Sequence, residues 1–561
     1  MRGESIAALL LTLVTISAAA YGQSAEPPAV GQVKIEDVVD RMNKSESGLV
    51  VRMRMYHPLV EVYIQNLVPD ELLGWVPTQD EYFLGQFDMG EKPKLRPLSP
   101  VKKTTALLAR IPAGGKGVQY LPDGFAATAA PDWHLLERSR YDFKFVRREF
   151  LGEARCFVFD VKPIRDSRDG FSGRIWVEDR DYNIIRFNGI NRGTDQTLSS
   201  FFRRTLSFHV DGWRTNVLPG VWLPSYVYCE ETDLSDVRSS GHPVRFKSQV
   251  RIWGYEAQSV ERTQQLTTIR IDEPAALDSE PPRQLSPLLS QRRWEQEAEA
   301  NVIERLEGVG LLAPFGDVDK VLETVLNNLV VTNNLVLERP LRCRILLTSP
   351  LEAFTVGHTI VLSRGLIDVL PDEASLAAML AHELSHVVLG HPLIDTKFAF
   401  VDRLMVSDGD LLKTLQFHHG AREEAAADEN VIEMLKKSPY QNKLSDAGLF
   451  LRVIAQQAKR LPMLIQPHIG DHITAGGPLL RMAELMDQSP ALAPERLDQI
   501  PALPLGTRVV VDPWSGRLTL DRSPAVPLAS IREKVPLAVT PLMPYVKYYA
   551  EPTNAQLSTG R

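Results

Sequence analysis

Cysteine is scarce here: Cys156, Cys229 and Cys343 are the only three in 561 residues. None has CxxC or CxxH spacing, so a cysteine-held metal and a dithiol redox centre are both excluded. Cys156 and Cys229 fall in the same half of the chain and could form one bridge; three buried free thiols are the alternative. Long basic stripes are missing as well, and Lys and Arg (63) are outnumbered by Asp and Glu (70), a net charge of −7. Nothing in that balance calls for a nucleic-acid partner. Beyond the first twenty residues no uninterrupted apolar run is long enough to cross a bilayer, which takes about 20 residues. No internal repeat is visible.

What is present suits a globular protein of two to four domains: 44% hydrophobic and 24% charged residues. Residues 1–20 have the form of an export signal. Arg2 supplies a positive start that Glu4 partly cancels, Ile6 to Ile16 forms an apolar core, and Ala18-Ala19-Ala20 offers small residues for cleavage. No cysteine lies near that site, which argues against a lipoprotein anchor. The expectation is an exported protein, periplasmic or secreted, with no transmembrane segment in the mature chain and peripheral membrane contact at most.

Residues 30–271 read as β-rich. Cys156 to Val161 and Gly173 to Glu178 are β-branched and aromatic runs with partial alternation, and Arg245 to Trp253 alternates more cleanly. Asp179 to Asn183 separates Ile175-Trp176-Val177 from Ile184 to Phe187, which predicts a hairpin with a loop of several residues. A short helical pattern, Ile35 to Met42, precedes the first strands. Together these predict a large antiparallel sheet, curved or half-closed. Residues 272–289 are proline-rich and acidic and read as a linker. Over 290–492 the pattern turns helical, at Trp294–Leu306, Val318–Leu335, Ser375–Leu389, Glu423–Lys437 and Leu444–Leu461, with one β-like interval, Arg342 to Leu362. The tail, 493–561, holds one hairpin pattern around Pro513-Trp514-Ser515-Gly516. The fold class is multidomain α+β.

The chemistry is concentrated in His382-Glu383-Leu384-Ser385-His386. On a helix, residues four apart lie on one face a turn apart, so two imidazoles can grip one zinc ion with Glu383 beside them, directed at the water the metal activates. With 12 His in the chain, chance alone yields HExxH in roughly one to two such chains per hundred, so the surroundings must support it. Asp372 can cap the helix after Pro371, and Gly390 with Pro392 marks its end. His391 lies nine residues from His382, roughly 180° around a regular helix at about 100° per residue. It therefore cannot join the same metal and reads as a helix-end residue or a partner of a ligand. Leu389 and Pro392 occupy the Gly and His positions of HExxHxxGxxH, so that pattern fails. Downstream, Glu424 and Asp428 share a face at i, i+4. Glu424 can be the third ligand and Asp428 can accept the free ring N–H of a ligating His. Ala425, Ala426 and Ala427 would let two helices approach closely. An ordinary solvated helix start, where acidic residues are favoured anyway, is the competing reading.

With HExxH followed by Glu424-Ala425-Ala426-Ala427-Asp428, residues from about 300 to 490 resemble the HtpX/CAAX-prenyl-protease (Ste-type) family of zinc metallopeptidases, which are gluzincins. Glu352-Ala353-Phe354-Thr355, leading to Thr359–Leu366, is similar to the family's Asn-Ala-Phe-Ala strand, with Glu352 in the Asn position. The resemblance implies a mainly helical zincin-type peptidase domain in which Ala353 and Phe354 flank an extended peptide substrate that adds as a strand. It also implies a transition-state-stabilising His, assigned to His472 ahead of His468, and a supporting Arg481. The spacing there is longer than the family's and no Pro follows the His. Gly173 to Asp179, leading to Ile185-Arg186, more weakly resembles the half-barrel of periplasmic lipoprotein-sorting carriers.

These readings imply one Zn2+ per chain held by His382, His386 and Glu424, with Glu383 and His472 catalytic and Asp428 and Arg481 supporting. The implied activity is exported metalloendopeptidase action on protein or peptide substrates, misfolded envelope proteins among them. A chaperone-like or lipoprotein/lipid-binding protein with a latent zinc site is the alternative.

Overall fold

Successive side chains of a strand leave it on opposite faces, and in Ala154–Pro163 both faces are apolar. Cys156 and Val158 face one way with Trp176, Trp213 and Tyr226. Phe157, Phe159 and Val161 face the other with Val62, Ile175 and Phe246. Burial on both sides explains why the sequence shows only partial alternation there. The computed structural model describes residues 34–89, 93–98, 128–129, 136–164, 170–193, 206–232, 245–255, 287–391, 417, 419–466, 468–470, 482–499, 509–511, 518–520, 528–534, 537 and 539. The export-signal pattern of residues 1–20, residues 272–286 of the linker and most of the tail lie outside the described residues.

Two short helices, α1 (Ile35–Ser47) and α2 (Leu49–Met53), precede the sheet. Its strands are β1 (Leu59–Asp70), β2 (Gly74–Met89), β3 (Pro93–Pro97), β4 (Tyr141–Leu151), β5 (Ala154–Pro163), β6 (Gly170–Glu178), β7 (Ile184–Gly193), β8 (Leu206–Leu218), β9 (Val221–Glu231) and β10 (Arg245–Trp253). They form one ten-stranded open sheet in the order β3-β2-β1-β10-β9-β8-β7-β6-β5-β4, with every pairing antiparallel. Register shifts interrupt four of the ladders, at Asn66/Leu67, Phe145/Arg147, Trp176/Val177 and twice between β8 and β9. Such bulges bend a strand and raise its twist, which suits a curved, half-barrel-like sheet.

Helix α1 covers one face through Val38, Val39 and Met42. It is fixed by a buried ion pair: Arg214 Nη1 and Nη2 donate to the Glu46 carboxylate at 2.7 and 2.8 Å, and the Ile184 amide donates to the same Oε1 at 2.9 Å. All three cysteines are buried free thiols. Cys156 and Cys229 face opposite sides of the sheet, so the bridge open to the sequence does not form. Burial pushes the Cys229 thiol up to about 12, which leaves it unreactive.

The second half starts with α3 (Pro287–Val309), three residues inside the span read as linker, and α4 (Asp317–Thr332). Strands β11 (Arg342–Leu346), β12 (Ala353–Val356) and β13 (Thr359–Ser363) form a small sheet in which β13 is central and β12 is an edge. Then come α5 (Arg364–Val369), α6 (Glu373–Leu389), α7 (Ala421–Lys436), α8 (Leu444–Gln457), α9 (Pro462–Ile465) and α10 (Ala483–Asp487). In the tail, β14 (Val509–Val511) pairs antiparallel with β15 (Leu518–Leu520). Among the described residues no helix is long and apolar enough to cross a membrane.

The two halves meet through a buried polar seam. Glu61 of β1, fully buried, accepts from the Ser349 amide at 2.6 Å, the Ser349 hydroxyl at 2.8 Å and the Tyr82 hydroxyl at 3.0 Å. Arg251 of β10 and Arg364 of α5 stand 3.5 and 3.9 Å from the same carboxylate. Asp80 of β2 accepts from the Met463 and Leu464 amides at 3.0 and 2.8 Å, capping α9. Glu352 accepts from the His468 and Ile469 amides. Burial pushes both the Asp80 and Glu352 carboxyls up to about 7, against the amide donors that favour ionisation.

Folded-state pKa values above the unfolded ones mean that the folded chain holds more protons between about pH 4 and 7. Stability is then greatest towards the acid end and falls as pH rises through that window. Each group accounts for on the order of 3 kcal/mol. The thermal midpoint should therefore rise between pH 8 and pH 5.5, and Asp80→Asn and Glu352→Gln should each flatten that rise. A double variant with the wild-type pH profile would contradict the assignment.

Candidate metal centre

Helix α6 presents the HExxH residues because its ends and face are fixed. Asp372 Oδ1 accepts from the Ser375 amide at 2.8 Å, and Gly390 closes the helix in the left-handed conformation at φ 67°. The apolar residues around the motif pack the helix against α4, α7, α8 and β12, so His382, Glu383 and His386 are all buried. On α7, Ala427 is fully buried, and small residues there let the two helices close on one another.

Three ligand atoms converge. His382 Nε2 is 3.2 Å from His386 Nε2 and 3.2 Å from Glu424 Oε2, and His386 Nε2 is 3.9 Å from that oxygen. Two ligands about 2.1 Å from a tetrahedral ion stand roughly 3.4 Å apart, so the spacing fits a zinc ion among them. Among the described residues this is the one group of three or more His, Cys, Asp or Glu side chains able to hold a metal. Asp428 Oδ1 lies 3.0 Å from His382 Nδ1, while its Oδ2 accepts from the Met482 amide at 3.0 Å. That carboxylate thus stands beside one imidazole and ties α7 to the start of α10.

His386 is held from two sides. Its Nδ1 lies 2.9 Å from His391 Nδ1, and the His419 ring stacks on it at 3.8 Å and 16°. Burial lowers the His391 pKa, favouring a neutral ring. His391 therefore contacts the candidate ligand His386, in keeping with one of the two roles open to it from the sequence. His419 was not foreseen; its signal was the His418-His419 pair directly before the α7 start. Glu383 Oε2 accepts from the Thr355 hydroxyl at 2.8 Å, a contact also missed, although Thr355 departs from the Asn-Ala-Phe-Ala pattern.

The structure separates other candidates from this cluster. Phe354 points into the core, stacked on Phe417 at 4.7 Å. A Cβ on Gly470 would stand 2.6 Å from the Phe354 ring, so that approach admits glycine alone. Ala353 is buried beside Phe354 on the edge strand. Both side chains are thus packed inside the protein. His468 lies in the seam, its Nε2 3.0 Å from the Met463 carbonyl oxygen and its ring 4.5 Å from Tyr82. His472 and Arg481 lie outside the described residues. Glu352, in the Asn position, serves the seam through its bonds to residues 468 and 469.

A search of curated proteins returns no match. Similar solved structures include a LolA superfamily protein from Nitrosomonas europaea, 12% identical with a TM-score of 0.19, covering 39% of this chain and 91% of that one. A DUF1329 family protein from Desulfovibrio piger is 9% identical with a TM-score of 0.16, covering 38% of this chain and 92% of that one. Residues 317–452 match the sequence model of peptidase family M48, a span that contains both His382–His386 and Glu424–Asp428. The match to that family's model thus lies within the helical half of this chain and spans the three converging side chains.

Proposed function

We propose that the protein is an exported zinc-dependent metalloendopeptidase that hydrolyses peptide bonds in misfolded envelope proteins. The observation that carries the reading is the convergence of His382 Nε2, His386 Nε2 and Glu424 Oε2, with Glu383 in the same helical turn. A structural metal has no need of that Glu; hydrolysis does. When bound, zinc supplies Lewis acidity, lowering the pKa of water and polarising a carbonyl oxygen.

The chain's own residues do the rest. Glu383 takes the proton of the attacking water and returns it to the leaving amine. Asp428 keeps His382 in the orientation that turns Nε2 inward, and His391 and His419 do the same for His386. By the family resemblance, an extended substrate backbone would add at edge strand β12, whose four residues are buried here. Burial of the centre strengthens the interaction of any fixed donor or charge with the oxyanion that develops there. His472 and Arg481 are proposed helpers at the carbonyl oxygen.

Purified protein incubated with unfolded casein tests this reading. Cleavage should stop with a chelator and return with zinc, and Glu424→Gln should lower zinc content well below one ion per chain. Binding of casein without cleavage, in zinc-loaded protein, would instead support a chaperone-like role.

A further inference from the structure

Thr355 owes its direction to strand geometry. Its neighbours Phe354 and Val356 enter the apolar cluster with Val361 and Phe417, so alternation turns Thr355 to the opposite face, towards α6. The pairing Thr355↔Ile360 fixes its register on β13, and its β-branched side chain has few rotamers. The residue is buried. Its hydroxyl lies 2.8 Å from Glu383 Oε2 and 3.2 Å from the Glu383 carbonyl oxygen. One hydroxyl carries one hydrogen, and an ionised carboxylate is the stronger acceptor at the shorter distance.

We propose that Thr355 is a positioning residue, holding the Glu383 carboxylate through this hydrogen bond and so fixing the general base to the strand that flanks the substrate. This rests on the metallopeptidase reading of Glu383. The hydroxyl takes no part in bond making. It restricts the rotamers of Glu383, so the base does not have to be oriented in each turnover.

The test compares zinc-loaded wild type, Thr355→Val, which keeps the shape and loses the hydroxyl, and Thr355→Ser, which keeps the hydroxyl. With a quenched-fluorescence peptide, Thr355→Val should lower kcat about tenfold or more, with KM within about twofold. Thr355→Ser should recover most of that loss, with zinc content and thermal midpoint close to wild type in both. A Thr355→Val enzyme with wild-type kcat overturns the proposal, as does a Ser variant as slow as the Val variant. A second readout needs no turnover: the 13Cδ resonance of Glu383 in labelled full-length protein, assigned by its loss in Glu383→Gln. It should move in Thr355→Val and return in Thr355→Ser; an unmoved resonance overturns the proposal. Should wild type fail to cleave in a chelator-sensitive way, the peptidase reading fails, while this resonance still decides whether Thr355 holds Glu383. If Thr355→Val does not fold, the same two measurements are made on Thr355→Ala.

Discussion

Glu383→Gln is expected to retain zinc, fold and peptide binding while losing turnover by about 10²–10⁴-fold, the usual contribution of a positioned general base. The change is nearly isosteric, and the amide oxygen can still accept the Thr355 hydroxyl that Glu383 accepts at 2.8 Å. What disappears is the ability to take and return a proton. Because Glu383 is not among the three converging ligand atoms, metal content should stay near one per chain. The measurement is initial rate on casein alongside elemental zinc analysis, with adventitious protease excluded by the chelator control. A variant with full activity would sink the proposed role of Glu383 and leave His382, His386 and Glu424 as a metal clasp without assigned chemistry.

The largest stability effect is expected far from that centre, at Glu46. Its carboxylate receives both Arg214 nitrogens and the Ile184 amide, and both side chains of the pair are only 1% exposed. Removing one partner of a buried pair strands the other charge, at a cost of about 3–5 kcal/mol. Glu46→Ala also leaves an amide of β7 without its acceptor, which adds to that cost. The neighbouring contacts are too few to compensate: Arg52 donates to the Ser45 carbonyl oxygen at 2.9 Å and Ser45 to Asn183 at 2.8 Å. At about 2–4 °C per kcal/mol, the thermal midpoint of the sheet should fall by about 10 °C. Replacing both partners, Glu46→Leu with Arg214→Met, should recover most of the loss, since a packed apolar pair carries no stranded charge. A single variant melting within a degree of wild type would show that the pair does not anchor α1.

Much of the helical half was legible because its signals are local. The cap at Asp372, the stop at Gly390 and the spacing of His382 and His386 all belong to one helix, and sequence reads helices well. Glu424 and Asp428 were legible because their chemistry completes a donor set already begun. The sheet was legible as antiparallel strands, but its two-sided burial blurred the alternation. The seam was not legible at all. Glu61 and Arg251 occupy strand positions that read as solvent-facing, and only the pairing Glu61↔Arg251 and the arrival of Ser349 make them interior. His419 was hidden for a related reason: it reaches His386 across a segment without periodicity. Thr355 lies within the strand motif, yet only the register of β12 shows that it meets Glu383.

The order of strands in the large sheet constrains how the chain can assemble. The ladders β1–β3 and β4–β10 are built of sequence neighbours and can close as local hairpins. The one remaining ladder, β1 with β10 from Leu59↔Trp253 to Leu67↔Arg245, joins segments distant in the chain, and such closure is slow because its entropy must be met before the contacts form. Glu61 and Arg251, which receive the helical half, lie on this ladder. The segment that carries the candidate metal centre follows the sheet in the chain and has no complete docking face until that ladder has formed. Slow formation of that one ladder would delay docking of the half that holds the three converging side chains.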